Sequence, residues 1–179
     1  MPTARAPVRR YEFRTVLRAP LPFAFRWCTD YSEADPSLEG AHHRRKIVRR
    51  SRREVIYEDL EETREGWVWR RTTVAVRPPN RWTARSEGNH RNWILDYTLR
   101  PLPDGTSELL WRGERHALPL GGPNPTPAAM LEEMRTIWGR FGRALATEYR
   151  AGRRSPVPRE QRLTKSRTTP SGTGSRARA

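Results

Sequence analysis

The feature that most constrains this chain is an apolar stripe near its C-terminus. Leu131, Met134, Trp138, Phe141, Leu145 and Tyr149 recur at steps of three or four residues, and Met130 and Ile137 widen the stripe. That period describes one face of a long amphipathic helix. Thr126 supplies an N-cap, Pro127 a first-turn proline, and Glu132 and Glu133 negative charge near the positive end of the helix dipole. Gly152 ends it. A helix with such a face must bury it against a second layer.

The sequence before it supplies that layer as strands. Tyr11, Phe13, Thr15 and Leu17 alternate with Glu12, Arg14 and Arg18, the period of a half-buried strand. Pro20 and Pro22 end it and open a short helix over residues 23–31. Residues 32–40 are acidic and turn-rich and read as a loop. Two β-prone runs, 45–50 and 54–60, flank Ser51-Arg52-Arg53 as a hairpin, although flanking arginines weaken their alternation. Residues 67–76 form a strand with Trp67, Trp69, Arg71 and Thr73 on one side and Val68, Arg70, Thr72 and Val74 on the other. Pro78-Pro79-Asn80 breaks it and 81–87 resumes it. Residues 93–100 follow, with Trp93, Leu95, Tyr97 and Leu99 in phase. Pro103-Asp104-Gly105 is a hairpin turn, because Gly tolerates positive φ and Pro fixes the φ before it. The return strand runs over 109–118.

Charge and cysteine usage narrow the function classes. The 179 residues carry a formal net charge of +15, which invites a nucleic-acid reading. Much of it sits in residues 153–179, which are rich in Ser, Thr, Pro, Gly and Arg and are expected to be disordered; Arg5, Arg9 and Arg10 lie in a second basic, disordered arm over 1–10. The globular unit is expected over 11–152. Lysine is confined to Lys46 and Lys165, a bias that GC-rich codon usage produces without any nucleic-acid partner. The run from Arg44 to Arg53 can contact phosphates or protect a sheet edge, but it has no interleaved aromatics for base stacking. Cys28 is the one cysteine, so an intrachain disulfide is excluded, and beside Trp27 it reads as a packed thiol. His42, His43, His90 and His116 lack the spacing of metal ligands, His42 and His43 reading as a solvated loop pair. No apolar run is long enough to span a bilayer, and the expectation is a cytoplasmic protein without cofactor or metal.

The order strand, short helix, antiparallel strands and long helix points to an α+β fold: a curved antiparallel sheet wrapped around the C-terminal helix. Three places give this order a family likeness. Arg18-Ala19-Pro20 leads into Phe25-Arg26-Trp27-Cys28-Thr29-Asp30-Tyr31; Trp93 to Leu99 leads into Pro103-Asp104-Gly105-Thr106; the terminal helix closes the set. In these the chain resembles the START-like, or SRPBCC, helix-grip superfamily, which includes polyketide cyclases and lipid-transfer domains. The resemblance implies a pocket between sheet and helix for an apolar, lipid- or polyketide-like molecule. In the aromatase/cyclases of that superfamily a pocket arginine on a central strand matters, and Arg71 lies on about the corresponding strand.

The expected pocket is therefore lined by Trp69, Arg71, Trp93, Tyr97, Trp111, Met134, Trp138 and Phe141, with Arg71 as the catalytic candidate. The aromatic and methionine side chains can equally pack as plain core. Asp96, Arg112, Glu114 and His116 can be drawn as an acid–base set, but alternation puts Asp96 opposite Trp93 and Tyr97, where outer-face charges are ordinary. Three functions stay open: binding an apolar ligand, polyketide cyclisation, and nucleic-acid or anionic-surface binding through the basic tail.

Overall fold

The computed structural model describes residues 8–64 and 66–152. The tail over 153–179 lies outside these residues, as does the arm up to residue 7. The strand elements are β1 (Val8–Leu17), β2 (Arg44–Arg50), β3 (Glu54–Thr63), β4 (Gly66–Arg77), β5 (Arg81–Gly88), β6 (Arg91–Pro101) and β7 (Ser107–Ala117). The helices are α1 (Leu21–Cys28), α2 (Asp35–Glu39) and α3 (Pro127–Gly152). The strands form one antiparallel sheet in the order β1-β7-β6-β5-β4-β3-β2. Every neighbour pair is a sequence-adjacent hairpin except β1 with β7, which joins the two ends of the domain. This is the α+β arrangement expected, a curved sheet wrapped around a C-terminal helix.

Two boundaries differ from expectation. β1 begins at Val8, with Val8 to Arg10 paired to His116, Arg115 and Glu114, so these three residues belong to the sheet and not to a disordered arm. The acidic segment expected as a loop contains α2. Asp35 accepts from Ser32 N at 2.9 Å and from Ser32 Oγ at 2.7 Å, Pro36 sits in the first turn, and Gly40 closes the helix at φ 70°. A helix of five residues cannot stand alone. It is held by Arg140 of α3, whose guanidinium donates to Leu38 O at 2.8 Å and to Glu39 O.

Local chemistry accounts for the remaining elements. At the turn between β6 and β7, Asp104 Oδ1 accepts from Thr106 N at 3.0 Å and Thr106 Oγ1 at 2.6 Å, and Gly105 has φ 78°. Thr126 Oγ1 accepts from Ala129 N at 3.2 Å, capping α3. The core has two parts. Leu17, Phe25, Val74, Trp82, Leu99, Leu109 and Leu145 centre one; Tyr11, Phe13, Trp111 and Met130 form the other. Leu95, Tyr97 and Trp138 are only partly buried and touch both. They mark where packing between sheet and helix is incomplete.

Candidate functional site

Strand alternation decides which side chains reach that gap. On β7, Leu109, Trp111, Gly113, Arg115 and Ala117 point inward; opposite them on β6 stand Leu99, Tyr97, Leu95, Trp93 and Arg91. On β4 the inward set is Arg70, Thr72, Val74 and Val76, and on β3 it is Val55, Tyr57 and Asp59. Between these faces and α3 lies a cavity of about 430 Å³, within the range of small-molecule pockets.

One part of its wall is aromatic. Trp82 and Tyr97 stack at 4.7 Å with their planes 4° apart; Trp138 sits 6.2 Å from Tyr97 and 5.4 Å from Phe141. Tyr31 stacks on Tyr57 at 5.5 Å. Trp93 and Trp111 meet edge to face at 6.1 Å. Gly113 makes room for these two indoles, since a Cβ there would come within 2.5 Å of Trp111 and 3.0 Å of Trp93. Burial pushes the hydroxyl pKa values of Tyr31, Tyr57 and Tyr97 up, so all three are neutral hydrogen-bonding groups near pH 7.

Another part of the wall is ionic. Arg45 Nε donates to Asp59 Oδ1 at 2.7 Å and its Nη2 to Asp59 Oδ2 at 3.1 Å and Glu39 Oε1 at 2.9 Å, while its Nη1 lies 3.8 Å from Asp35. The same guanidinium covers the Tyr57 ring at 4.1 Å. Arg70 pairs with the other side of Asp59. Burial alone would raise the Asp59 pKa, but the Arg45 hydrogen bond and the Arg70 charge pull it below the usual value. His43 Nε2 stands 3.5 Å from Asp59 and 3.6 Å from Glu39. Loss of solvent, with the charges of Arg70 and Arg45, lowers its pKa against the pull of those carboxylates. Among the described residues no group of three His, Cys, Asp or Glu side chains is arranged to hold a metal.

The expected site residues divide. Trp93, Tyr97, Trp111, Met134, Trp138 and Phe141 come together around the cavity. Trp69 borders it, yet alternates outward and is 41% exposed. Arg71 is a correction. It lies on the outer face, paired with Glu58 at 3.2 Å, and does not line the cavity. Its neighbour Arg70 holds the inward position, because Arg70 shares phase with the buried Val74 and Val76. His43 is a second correction: its side chain is buried in the ionic wall and not solvated. Asp96, Arg112, Glu114 and His116 stay outside the cavity; Arg112 pairs with Glu12 and Glu114 with Arg10 and His116.

No family model and no curated protein matches this sequence. Solved structures do match its fold. The Zhui aromatase/cyclase from Streptomyces sp. R1128 superposes with a TM-score of 0.61 at 10% identity, over 84% of this chain and 98% of that one. Ara h 8.0201 gives 0.60 at 14% identity, over 79% and 99%. Major latex-like protein 151 from Panax ginseng gives 0.56 at 7% identity, over 76% and 97%. The chain has the helix-grip fold of these structures.

In this helix-grip domain the grip is incomplete where the aromatic and ionic walls meet, and the cavity is the result. Sequence reasoning missed the ionic wall: Glu39, His43, Arg45, Asp59, Arg70 and Arg115. The available signal was phase, with Asp59 two residues after Tyr57 and Arg45 two before Ile47. Among the described residues no helix is long and apolar enough to cross a membrane.

Proposed function

We propose that this protein binds one apolar small molecule, lipid- or polyketide-like, in the cavity between sheet and α3. The observation that carries the reading is the wall itself: stacked aromatic rings enclose about 430 Å³ beside a few polar groups held at fixed positions. Apolar area removed from water supplies affinity, and the polar groups supply orientation. Native purification of the full chain, solvent extraction and mass spectrometry test it. One apolar species at near-stoichiometric amount is the expected result. An empty extract, together with no thermal shift from a panel of lipids and polyketides, would reduce the aromatic wall to ordinary core.

A second reading is turnover of the cyclase kind, and Arg70 favours it. This arginine faces the cavity from a central strand, its Nη2 on Asp59 and its buried Nε without a hydrogen-bond partner among the described residues. A guanidinium so placed can stabilise an enolate oxygen as charge develops there. Incubating a poly-β-ketone with the protein and with Arg70→Gln separates the readings. Cyclised product from the parent and at least about 100-fold less from the variant supports turnover, on the scale of removing one electrostatic donor. Tight binding without product leaves a carrier.

A further inference from the structure

We infer that the cavity contains an oxyanion subsite at its β6–β7 end, built on Arg115 and Arg91, so that the ligand is an amphipath whose carboxylate-like head sits there. This rests on the ligand-binding reading above and specifies what the ligand must carry. Arg115 is 4% exposed and lines the cavity. No carboxylate lies within ion-pairing distance of it among the described residues. Beyond the sheet pairing of its backbone, it makes one long side-chain hydrogen bond, Nη2 to Gly121 O at 3.4 Å, and its carbonyl accepts from Asn124 Nδ2 at 3.5 Å. Its buried Nε has no hydrogen-bond partner among the described residues, and its guanidinium lies 5.9 Å from the centre of the Trp93 ring.

A buried charge without a counter-ion is costly and calls for one. Arg91, at the mouth, lines the same cavity without an ion pair among the described residues. Loss of solvent lowers its pKa, and the charges of Arg70 and Arg115 lower it further against the weaker pull of Glu133 and Glu61. The charges of Arg70 and Arg115 both act on Arg91, while Asp59 is occupied by Arg45 and Arg70. A planar oxyanion suits the free edge of a guanidinium, and Trp93 beside it would cover the first part of the apolar body.

The test uses two dyes of one shape, 8-anilinonaphthalene-1-sulfonate and N-phenyl-1-naphthylamine, which differ by the sulfonate. On the full chain the anionic dye is expected to bind at least about tenfold more tightly, the scale of one charge-assisted hydrogen bond. Arg115→Gln should bring the two affinities together without weakening the neutral dye. Arg91→Gln, at the exposed mouth, should narrow the ratio as well and decides the matter if Arg115→Gln does not fold. Arg81→Gln, on the outer face, should leave the ratio unchanged. Equal affinities in the parent, or a ratio that survives both cavity substitutions, overturn the subsite while the pocket stands. Binding of neither dye removes the pocket reading and the subsite together.

Discussion

Asp59 faces two guanidinium groups with one carboxylate, in a place where Arg45 is shut off from water and Arg70 only partly reaches it. Its side chain and that of Arg45 are almost wholly buried, so Asp59→Ala would leave Arg70 without its counter-ion and Arg45 with only Glu39 and the more distant Asp35. Breaking a buried pair from one side costs about 3–5 kcal/mol, and urea denaturation should show a loss of that order. Charge removal from both sides should cost less, so adding Arg45→Met to Asp59→Ala is expected to recover part of it. His43 gives a pH signature. Its folded pKa lies below the unfolded 6.5, so the unfolded chain takes up the proton first as pH falls. Stability from this group is full above pH 6.5 and declines below it until the folded pKa is passed. Asp59 adds a second decline below its unfolded 3.8, as pH drops through its lowered folded value. His43→Gln should flatten the fall in melting temperature between about pH 7 and pH 5 and leave the more acidic fall in place.

At the scale of elements, α3 and the β6–β7 turn were legible because their signals are local, the stripe and caps of the helix and Asp104-Gly105 of the turn, whereas α2 reads as a loop in the sequence. Inward and outward faces were legible only where one side of a strand was much more apolar. On β6 and β7 that condition holds, and Trp93, Tyr97 and Trp111 point inward. On β4 both sides carry large apolar residues, Trp67 and Trp69 against Val68, Val74 and Val76. The inner side of β4 borders an ionic wall and a void, so it takes Arg70 and Thr72, while the two indoles stand 49% and 41% exposed outside. Arg70 was therefore read as outer and Arg71 as inner. The arginine-rich run proved to be β2, an edge strand; its charges guard an open edge while Arg45 turns inward. Clamping of α2 by Arg140 yields a prediction. Arg140→Met should accelerate amide exchange at Gly40 and Ala41, which bond to Ser37 O and Pro36 O, and cost about 1–2 kcal/mol for the lost charged hydrogen bonds. Unchanged exchange there would mean that α2 is held by other contacts.

Across the whole molecule, the seven tryptophans divide into two populations with separate uses as reporters. Trp27, Trp82, Trp93, Trp111 and Trp138 line the cavity; Trp67 and Trp69 are the exposed pair, with Trp69 also bordering the cavity. Acrylamide should quench chiefly the outer pair, and a Trp67→Phe, Trp69→Phe double variant should lose most of the quenchable emission. If the cavity takes ligand, the remaining emission should still change on addition of a bound dye. Emission that no longer responds after the double substitution would place the dye on the outer face. The pairing of β1 with β7 has a consequence in time. Synthesis runs from the N-terminus, so every strand of the sheet, including both edges, has been made before α3. The aromatic inner face then lacks its main cover until the segment after β7 and the 26 residues of α3 have been added, on the order of a few seconds at ordinary elongation rates. During that interval the nascent chain presents to the cell the same surface that the finished protein keeps around its cavity.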